Sequence, residues 1–395
     1  MRDEFVRRRG WLDEADFIDV LGASSLIPGP TSSELAMHIG HRRGGWPGLV
    51  VAGLGFLLPA VVIVGVLAWI YVEQGTRVEL SAILAAVAPV VVAVIVHAGA
   101  GIARATLRTP RALVLLGLAV AAVLLGVPEI AVLLGTGLLG LAIHEARSLR
   151  DGRPALGAVV SAAGPLERLA TSGADLGSGT DIASGSALTS GDSLASGPGL
   201  ASGGSVLTTA AAALGSSGAL AVAPLTVLLE MARIGAVLFG SGYVIVALFR
   251  SEFVVRLGWI NETQLLDAIA VGQATPGPLF STATFVGYLA AGPLGAVAAT
   301  VGIFVPAFVA VAISIPLLAR LRASRRARAF LDGVNAATVG LLAVVAVQLA
   351  IGALVDPIAV GLALGALVLL TRGVGTALLI TAAAGIGLIR LTLGG

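Results

Sequence analysis

The sequence predicts an all-α polytopic membrane protein. It predicts two repeats of inverted topology, each with a re-entrant helical hairpin broken at Pro-Gly-Pro. Three observations point there. Hydrophobic residues make up 57% of the chain and charged residues only 12%, with a mean hydropathy of +1.00. A soluble domain carries about twice that charge. Apolar segments of about 20 residues, the length that spans a bilayer, recur along the chain. Residues 2–33, RDEFVRRRGWLDEADFIDVLGASSLIPGPTSS, return as residues 250–281, RSEFVVRLGWINETQLLDAIAVGQATPGPLFS, with 13 of 32 positions identical at an offset of 248. The echo continues at an offset of 247, where Gly55-Phe56-Leu57-Leu58-Pro59-Ala60 pairs with Gly302-Ile303-Phe304-Val305-Pro306-Ala307.

The apolar segments fall at 17–40, 46–72, 80–103, 111–126 and 127–144, then at 222–249, 264–290, 294–318, 329–352, 354–371 and 374–391. Between the two sets, residues 171–205 are mostly Gly, Ser, Ala, Thr and Asp. Such a composition buries too little to order itself, so 148–220 reads as a flexible linker joining a first repeat, 1–147, to a second, 221–395. The N-terminus lacks the short apolar core and cleavage site of a signal peptide.

All 24 basic residues are Arg, and their placement gives an orientation. Arg42-Arg43, Arg104/Arg108/Arg111 and Arg147/Arg150/Arg153 are basic, whereas 73–79 and 127–129 are not. The positive-inside bias puts the first set in the cytoplasm. In the second half the pattern inverts. Uncharged Gly292-Pro293 answers Arg42-Arg43, and 320–328, with five Arg, answers 73–79. Homologous loops are thus expected on opposite faces. With the linker cytoplasmic and 222–249 crossing outward, 17–40 and 264–290 must each enter and leave on one side. Nine crossings and two re-entrant hairpins are expected, with a cytoplasmic N-terminus. Helix 224–249, carrying Phe239-Gly240-Ser241-Gly242-Tyr243, has no counterpart in the first repeat as written; an apolar helix upstream of Met1 would supply it.

Each Pro-Gly-Pro then sits at a hairpin tip. Proline stops helix continuation, and non-helical backbone at membrane depth persists only inside protein or around a cavity. A new helix starts after each tip, and helix N-termini offer free N–H groups and partial positive charge to an anion. The candidate substrate-binding residues are Pro28, Gly29, Pro30, Thr31, Ser32 and Ser33 in one half. In the other they are Gln273, Thr275, Pro276, Gly277, Pro278, Ser281 and Thr282, joined by Gly240, Ser241 and Gly242. A single Pro-Gly-Pro is usually a loop, and Ser or Thr in apolar helices usually bonds to backbone. Duplication at matching positions favours a broken-helix transport site. Glu34 is an acid inside an apolar segment, so it is a candidate for proton coupling, with His38 one turn on as a partner. The plainer role for Glu34 is to cap its helix.

With no cysteine, disulfides and thiolate chemistry are excluded. The sequence carries no phosphate-binding loop, zinc-protease motif or nucleophile elbow, so no enzyme activity, cofactor or metal is expected. The net charge of +2 reflects loop Arg, and no nucleic-acid partner is expected.

Taken together, Pro-Gly-Pro followed by small polar residues, the Gly55…Pro59 and Gly302…Pro306 echo, and the run from Gln273 to Tyr288 resemble the chromate ion transporter family. The likeness covers about 1–145 and 222–392. It implies a two-domain exporter of chromate in the cytoplasmic membrane of a prokaryote, its partners the oxyanion, the bilayer and, in a homodimer, a second copy. A proton-coupled carrier of another oxyanion such as sulfate is the alternative, and a non-transporting membrane scaffold a third.

Overall fold

The computed structural model describes residues 29–74, 78–150, 222–238 and 242–392. Before residue 29 it describes positions 3–8, 10, 11, 13, 14, 17, 20, 21, 24 and 27; at 3, 4, 7, 78–82 and 318–323 it describes backbone alone. The helices are α1 (Thr31–Gln74), α2 (Val78–Thr106), α3 (Pro110–Leu124), α4 (Glu129–Arg150), α5 (Pro224–Val237), α6 (Val244–Phe249), α7 (Glu262–Ala274), α8 (Thr282–Ala323), α9 (Arg325–Ala353), α10 (Pro357–Thr371) and α11 (Thr376–Thr392). A π-type turn, Arg250–Arg256, continues α6. Among the described residues no strand forms, and five helical stretches are long and apolar enough to cross a membrane. The chain is an all-α polytopic membrane protein.

By compactness it divides into two units. One is Met1–His144 with Ala221–Gly395; the other is Glu145–Leu220. Only the end of α4 lies among the described residues of the second unit, and the expected linker is otherwise outside them.

The sequence repeat is a backbone repeat. α2 and α9 have equal length at an offset of 247, and so do α3 and α10. Thr109 caps α3 by accepting from the Ala112 N–H; Asp356 caps α10 by accepting from Ala359, at the same offset. The glycines with positive φ form four pairs: Gly10/Gly258, Gly29/Gly277, Gly45/Gly292 and Gly126/Gly373. Around the first pair, the Trp11 N–H donates to Phe5 O and the Trp259 N–H to Phe253 O, each at 2.8 Å. The rings of both Trp stack on those same Phe residues.

α1 and α8 are each two antiparallel arms. α1 turns at Gly44–Gly45 and α8 at Ala291–Gly292. The arms touch through glycine: a Cβ on Gly40 would lie 2.3 Å from Gly48 O, and one on Gly287 2.4 Å from Gly295 O. The short arms, 31–43 and 282–290, are about 20 and 14 Å long, less than a bilayer core. α7, at about 20 Å, is also short.

Packing across the halves is reciprocal. α1 meets its counterpart α8, α2 meets its counterpart α9, and α3 packs on α9 as α10 packs on α2. α3 and α9 run parallel. Their early residues, Ala112 and Leu115 with Ala329 and Asp332, line one cleft, while Val123 and Gly126 with Leu341 and Val345 line another. α4 and α9 run antiparallel, with Thr136 against Gly333 and Gly140 against Ala329.

One expectation fails. Segment 222–249 is not a single crossing helix. α5 ends at Val237, and the chain bends back before α6. Arg256 lies 2.8 Å from Glu230, and Arg233 lies 3.5 Å from Glu252. A straight helix would hold Glu230 and Arg256 about 39 Å apart. Gly242 lowers helix propensity just before α6, and the charge cluster of Glu230, Arg233, Glu252 and Arg256 closes the two limbs on each other. Hydrogen bonds to Glu230 first, and then to Glu252, outweigh burial and raise the Arg256 pKa above its ordinary value.

Candidate functional site

At the first tip, Gly29 has φ 138° and its N–H donates to Leu238 O at 2.7 Å. Only glycine takes that φ without strain. A side chain would also find no room, since a Cβ there would lie 2.4 Å from Glu34 Oε1 and 2.9 Å from Ala307 Cβ. α1 starts at once. The Ser33 and Glu34 N–H groups donate to Pro30 O, and so does the Ser33 hydroxyl. Thr31 is partly exposed, Ser32 exposed, and Ser33 and Glu34 fully buried.

The second tip repeats this. Asn261 and Gln264 form a capping box that starts α7, and Thr275 ends it by donating its hydroxyl to Val271 O. Gly277 has φ 148°, and a Cβ there would lie 2.5 Å from Ala60 Cβ. Pro276 and Gly277 are exposed, while Thr275, Pro278, Ser281 and Thr282 are buried. A Cβ on Gly272 would lie 2.2 Å from Thr282 Oγ1, so the hydroxyl sits on bare α7 backbone as the chain doubles back.

The tips are therefore cross-docked. Gly29 of the first half rests on Ala307 of the second, and Gly277 of the second rests on Ala60 of the first. The Pro59-Ala60 and Pro306-Ala307 echo is the surface each tip lands on. The bend after α5 touches both tips, through Leu238 O at the first and through Gly242, beside Phe280, at the second. Pro28, Gly240 and Ser241 lie outside the described residues.

Among the described residues, five buried side-chain atoms have no hydrogen-bond partner: Glu34 Oε1 and Oε2, Gln273 Nε2, Ser281 Oγ and Thr282 Oγ1. All five belong to the tips. Glu34 and Thr282 occupy equivalent positions, 248 residues apart. Each such atom costs about 1–3 kcal/mol if left unpaired. Native folds carry only a few such groups per hundred residues, and each calls for a water, an ion, strain or a functional role. Glu34 is in the first turn of its helix, at the dipole's positive end, but its oxygens accept no hydrogen bond. His38 faces Ser314, with Nε2 3.4 Å from Oγ.

A further polar pair, unforeseen in the sequence, joins α7 to the long arm of α1. Asp267 of α7 is 3% exposed and accepts from Tyr71 OH at 2.9 Å. The signal was available: Asp267 is an acid within an apolar run and repeats Asp19 at the offset of 248.

The family model described as "Chromate transporter" matches residues 1–141 and 225–388. The chromate transport protein of Pseudomonas aeruginosa is 32% identical over 373 residues, covering 89% of this chain and 75% of that protein. The chromate transport protein of Cupriavidus metallidurans is 26% identical over 360 residues, covering 90% and 78%. An uncharacterized transporter of Methanocaldococcus jannaschii is 34% identical over 121 residues, covering 31% and 30%. No solved structure gives a significant match. With both halves matched around cross-docked tips, the chain belongs to the chromate transporter family of membrane proteins.

Proposed function

We propose that the chain exports chromate across the cytoplasmic membrane of a prokaryote, binding it at the paired Pro-Gly-Pro tips. The observation that carries this reading is the set of five unpartnered buried polar atoms gathered at those tips. Ser281, Thr282 and Gln273 supply hydroxyl and amide donors, and the helix starts at Thr31 and Leu279 supply N–H groups and positive dipole ends. Thr31 and Ser32 lie on the open side of the first tip, Pro276 and Gly277 on that of the second. A tetrahedral dianion fits that donor set.

The fold supports alternating exposure of such a site. Short connections reverse the chain from α2 to α3 and again to α4, so α2 and α4 run together. α9, the counterpart of α2, runs with α3 and against α4. This register supports inverted repeats, as do the short arms the re-entrant hairpins. Residues 126–129 with Arg250, Ser251, Glu252, Val255 and Arg256 line one cleft, and Arg108, Thr109, Arg111 and Ala112 with Ala329 and Asp332 another, which is why we read the two clefts as opposite faces. We read the domains as a repeat, a linker and a second repeat.

The membrane potential favours outward movement. One charge through 100 mV is worth about 2.3 kcal/mol. A dianion leaving a negative interior thus gains about 4.6 kcal/mol, enough for roughly a thousandfold gradient at about 1.4 kcal/mol per decade. The test is chromate uptake into inside-out vesicles holding the purified chain. Accumulation should follow an inside-positive potential and vanish when the potential is collapsed. Flux no greater than in protein-free vesicles overturns the proposal.

A second reading is favoured by Glu34, whose carboxyl lies beside Gly29 with both oxygens unpaired. An acid that keeps its proton donates to an oxyanion, and one that loses it repels the anion. That is proton coupling, and it serves sulfate as well as chromate. Sulfate that competes fully with chromate, with flux driven by a pH gradient alone, would select this reading.

A further inference from the structure

The start of α9 packs on α4 backbone to backbone. A Cβ on Gly140 would lie 2.6 Å from Ala329 O, and one on Gly333 would collide with Thr136 O. Beside that contact the chain passes from α2 to α3. Ala105, Ala112, Gly140 and Ala329 are too small to fill the space between, and a cleft of about 310 Å³ remains. Arg108, Arg111, His144 and Asp332 line it, so it carries charge of both signs. Yet among the described residues neither arginine forms an ion pair, and neither does Asp332. Arg108 commits only its Nε–H, to Arg104 O at 3.3 Å. The first turn of α3, capped by Thr109, adds the positive end of its dipole.

The repeat supplies a comparison. At the offset of 247, Arg108, Arg111 and His144 correspond to Val355, Ile358 and Leu391, and Asp332 corresponds to Ala85. None of these counterparts is charged, so the shared fold does not require charge at these places. The positive-inside bias accounts for arginine on one face, but acids follow no such bias. An acid that lines the same cleft as two arginines, paired to neither, needs another reason. The cleft's position suggests one. α2 ends at Thr106, α3 begins at Pro110 and α9 at Arg325. The ends of membrane helices lie at the level of lipid headgroups. Beyond the cleft, α3 leaves Leu113, Val114 and Leu118 exposed and α4 leaves Leu138 and Leu139 exposed, an apolar surface for acyl chains.

We propose that this cleft binds the headgroup of a phosphoethanolamine lipid, a phosphate diester joined to a primary ammonium. Arg108 and Arg111 hold the phosphate through guanidinium N–H donors, and Asp332 accepts from the ammonium. A purely anionic headgroup meets the Asp332 carboxylate as a repelling charge, so the acid selects against it. A choline headgroup carries both charges but has no N–H to give a carboxylate. The site is separate from the tips, and nothing in it depends on what the tips carry.

The test is lipid binding to the purified, delipidated full chain, read by native mass spectrometry. Dioleoyl lipids bearing phosphoethanolamine, phosphoglycerol or phosphocholine are titrated singly. The phosphoethanolamine lipid should bind at least about tenfold more tightly than the other two. Arg108→Gln combined with Arg111→Gln should remove that advantage. Arg372→Gln, which changes an exposed arginine outside the cleft, should leave it intact. Asp332→Asn should raise the affinity for the phosphoglycerol lipid until it equals or exceeds that for the phosphoethanolamine lipid. A gain of that kind cannot come from misfolding. Equal binding of the three lipids by the wild type overturns the proposal, and so does a preference that survives Asp332→Asn. Tighter wild-type binding of the phosphoglycerol lipid would make this an anionic-lipid site. Displacement of the lipid by an equal concentration of free phosphoethanolamine would make it a site for a soluble ligand; either result also overturns the proposal.

Discussion

Glu34 and Thr282 stand at one place in two halves, the first turn after Pro-Gly-Pro, and the side-chain oxygens of each are buried with no hydrogen-bond partner. If these atoms hold the anion, removing them weakens transport without unfolding the protein. Replacing Ser281 by Ala together with Thr282 by Val should raise the chromate concentration for half-maximal flux about 10- to 100-fold, since hydrogen bonds to a charged partner contribute about 1.5–3 kcal/mol. Unchanged half-saturation, with normal membrane content, would remove both hydroxyls from the site. Glu34→Gln keeps the shape and loses the titration. Flux should become independent of pH over roughly pH 5–8 if Glu34 carries the proton, and a wild-type pH response would exclude that role. At this scale the sequence was only partly legible. It singled out the hydroxyls near both tips, but Ser33 and Thr275 bond to carbonyls of their own turns, whereas Ser281 and Thr282 do not. Composition and spacing cannot separate the two kinds, because the difference is a matter of rotamer and neighbouring backbone.

The decisive element is the tip with the Pro-Ala step it lands on. Gly277 rests on Ala60, with φ 148° and no room for a methyl group. Gly277→Ala should lower stability by about 1–3 kcal/mol through overpacking and backbone strain. Adding Ala60→Gly opens space opposite. In a double-mutant cycle read by thermal unfolding in detergent, the two changes should couple by at least about 0.5 kcal/mol. Strict additivity would mean that the two residues do not touch. The sequence located both partners of this contact as duplicated motifs, but not that they meet each other, and meet across the halves. The reversal between α5 and α6 was less legible. The apolar run from 222 to 249 reads as one helix, because hydropathy averages over a glycine-flanked break. The pairing of Glu230 with Arg256 shows that the chain turns back.

Over the whole molecule, the proposed inverted arrangement makes a prediction about faces. Val127→Cys and Ser251→Cys, which line one cleft, should react with an impermeant maleimide from one side of the membrane. Arg108→Cys and Ala329→Cys should react only from the other. Labelling of all four from one side would refute the inverted reading. By itself the sequence determined the membrane setting, the duplication, the position of both Pro-Gly-Pro breaks and the opposed charge of matching loops. These are properties of composition, spacing and charge, and they survive without knowledge of contacts. Tertiary structure alone decided that each tip docks on the other half, which polar atoms stay unpaired there, and that α5 folds back to join both tips. Those outcomes depend on which surfaces meet. Glycine at 29 and 277 permits the meeting, but only the neighbours Ala307 and Ala60 define it.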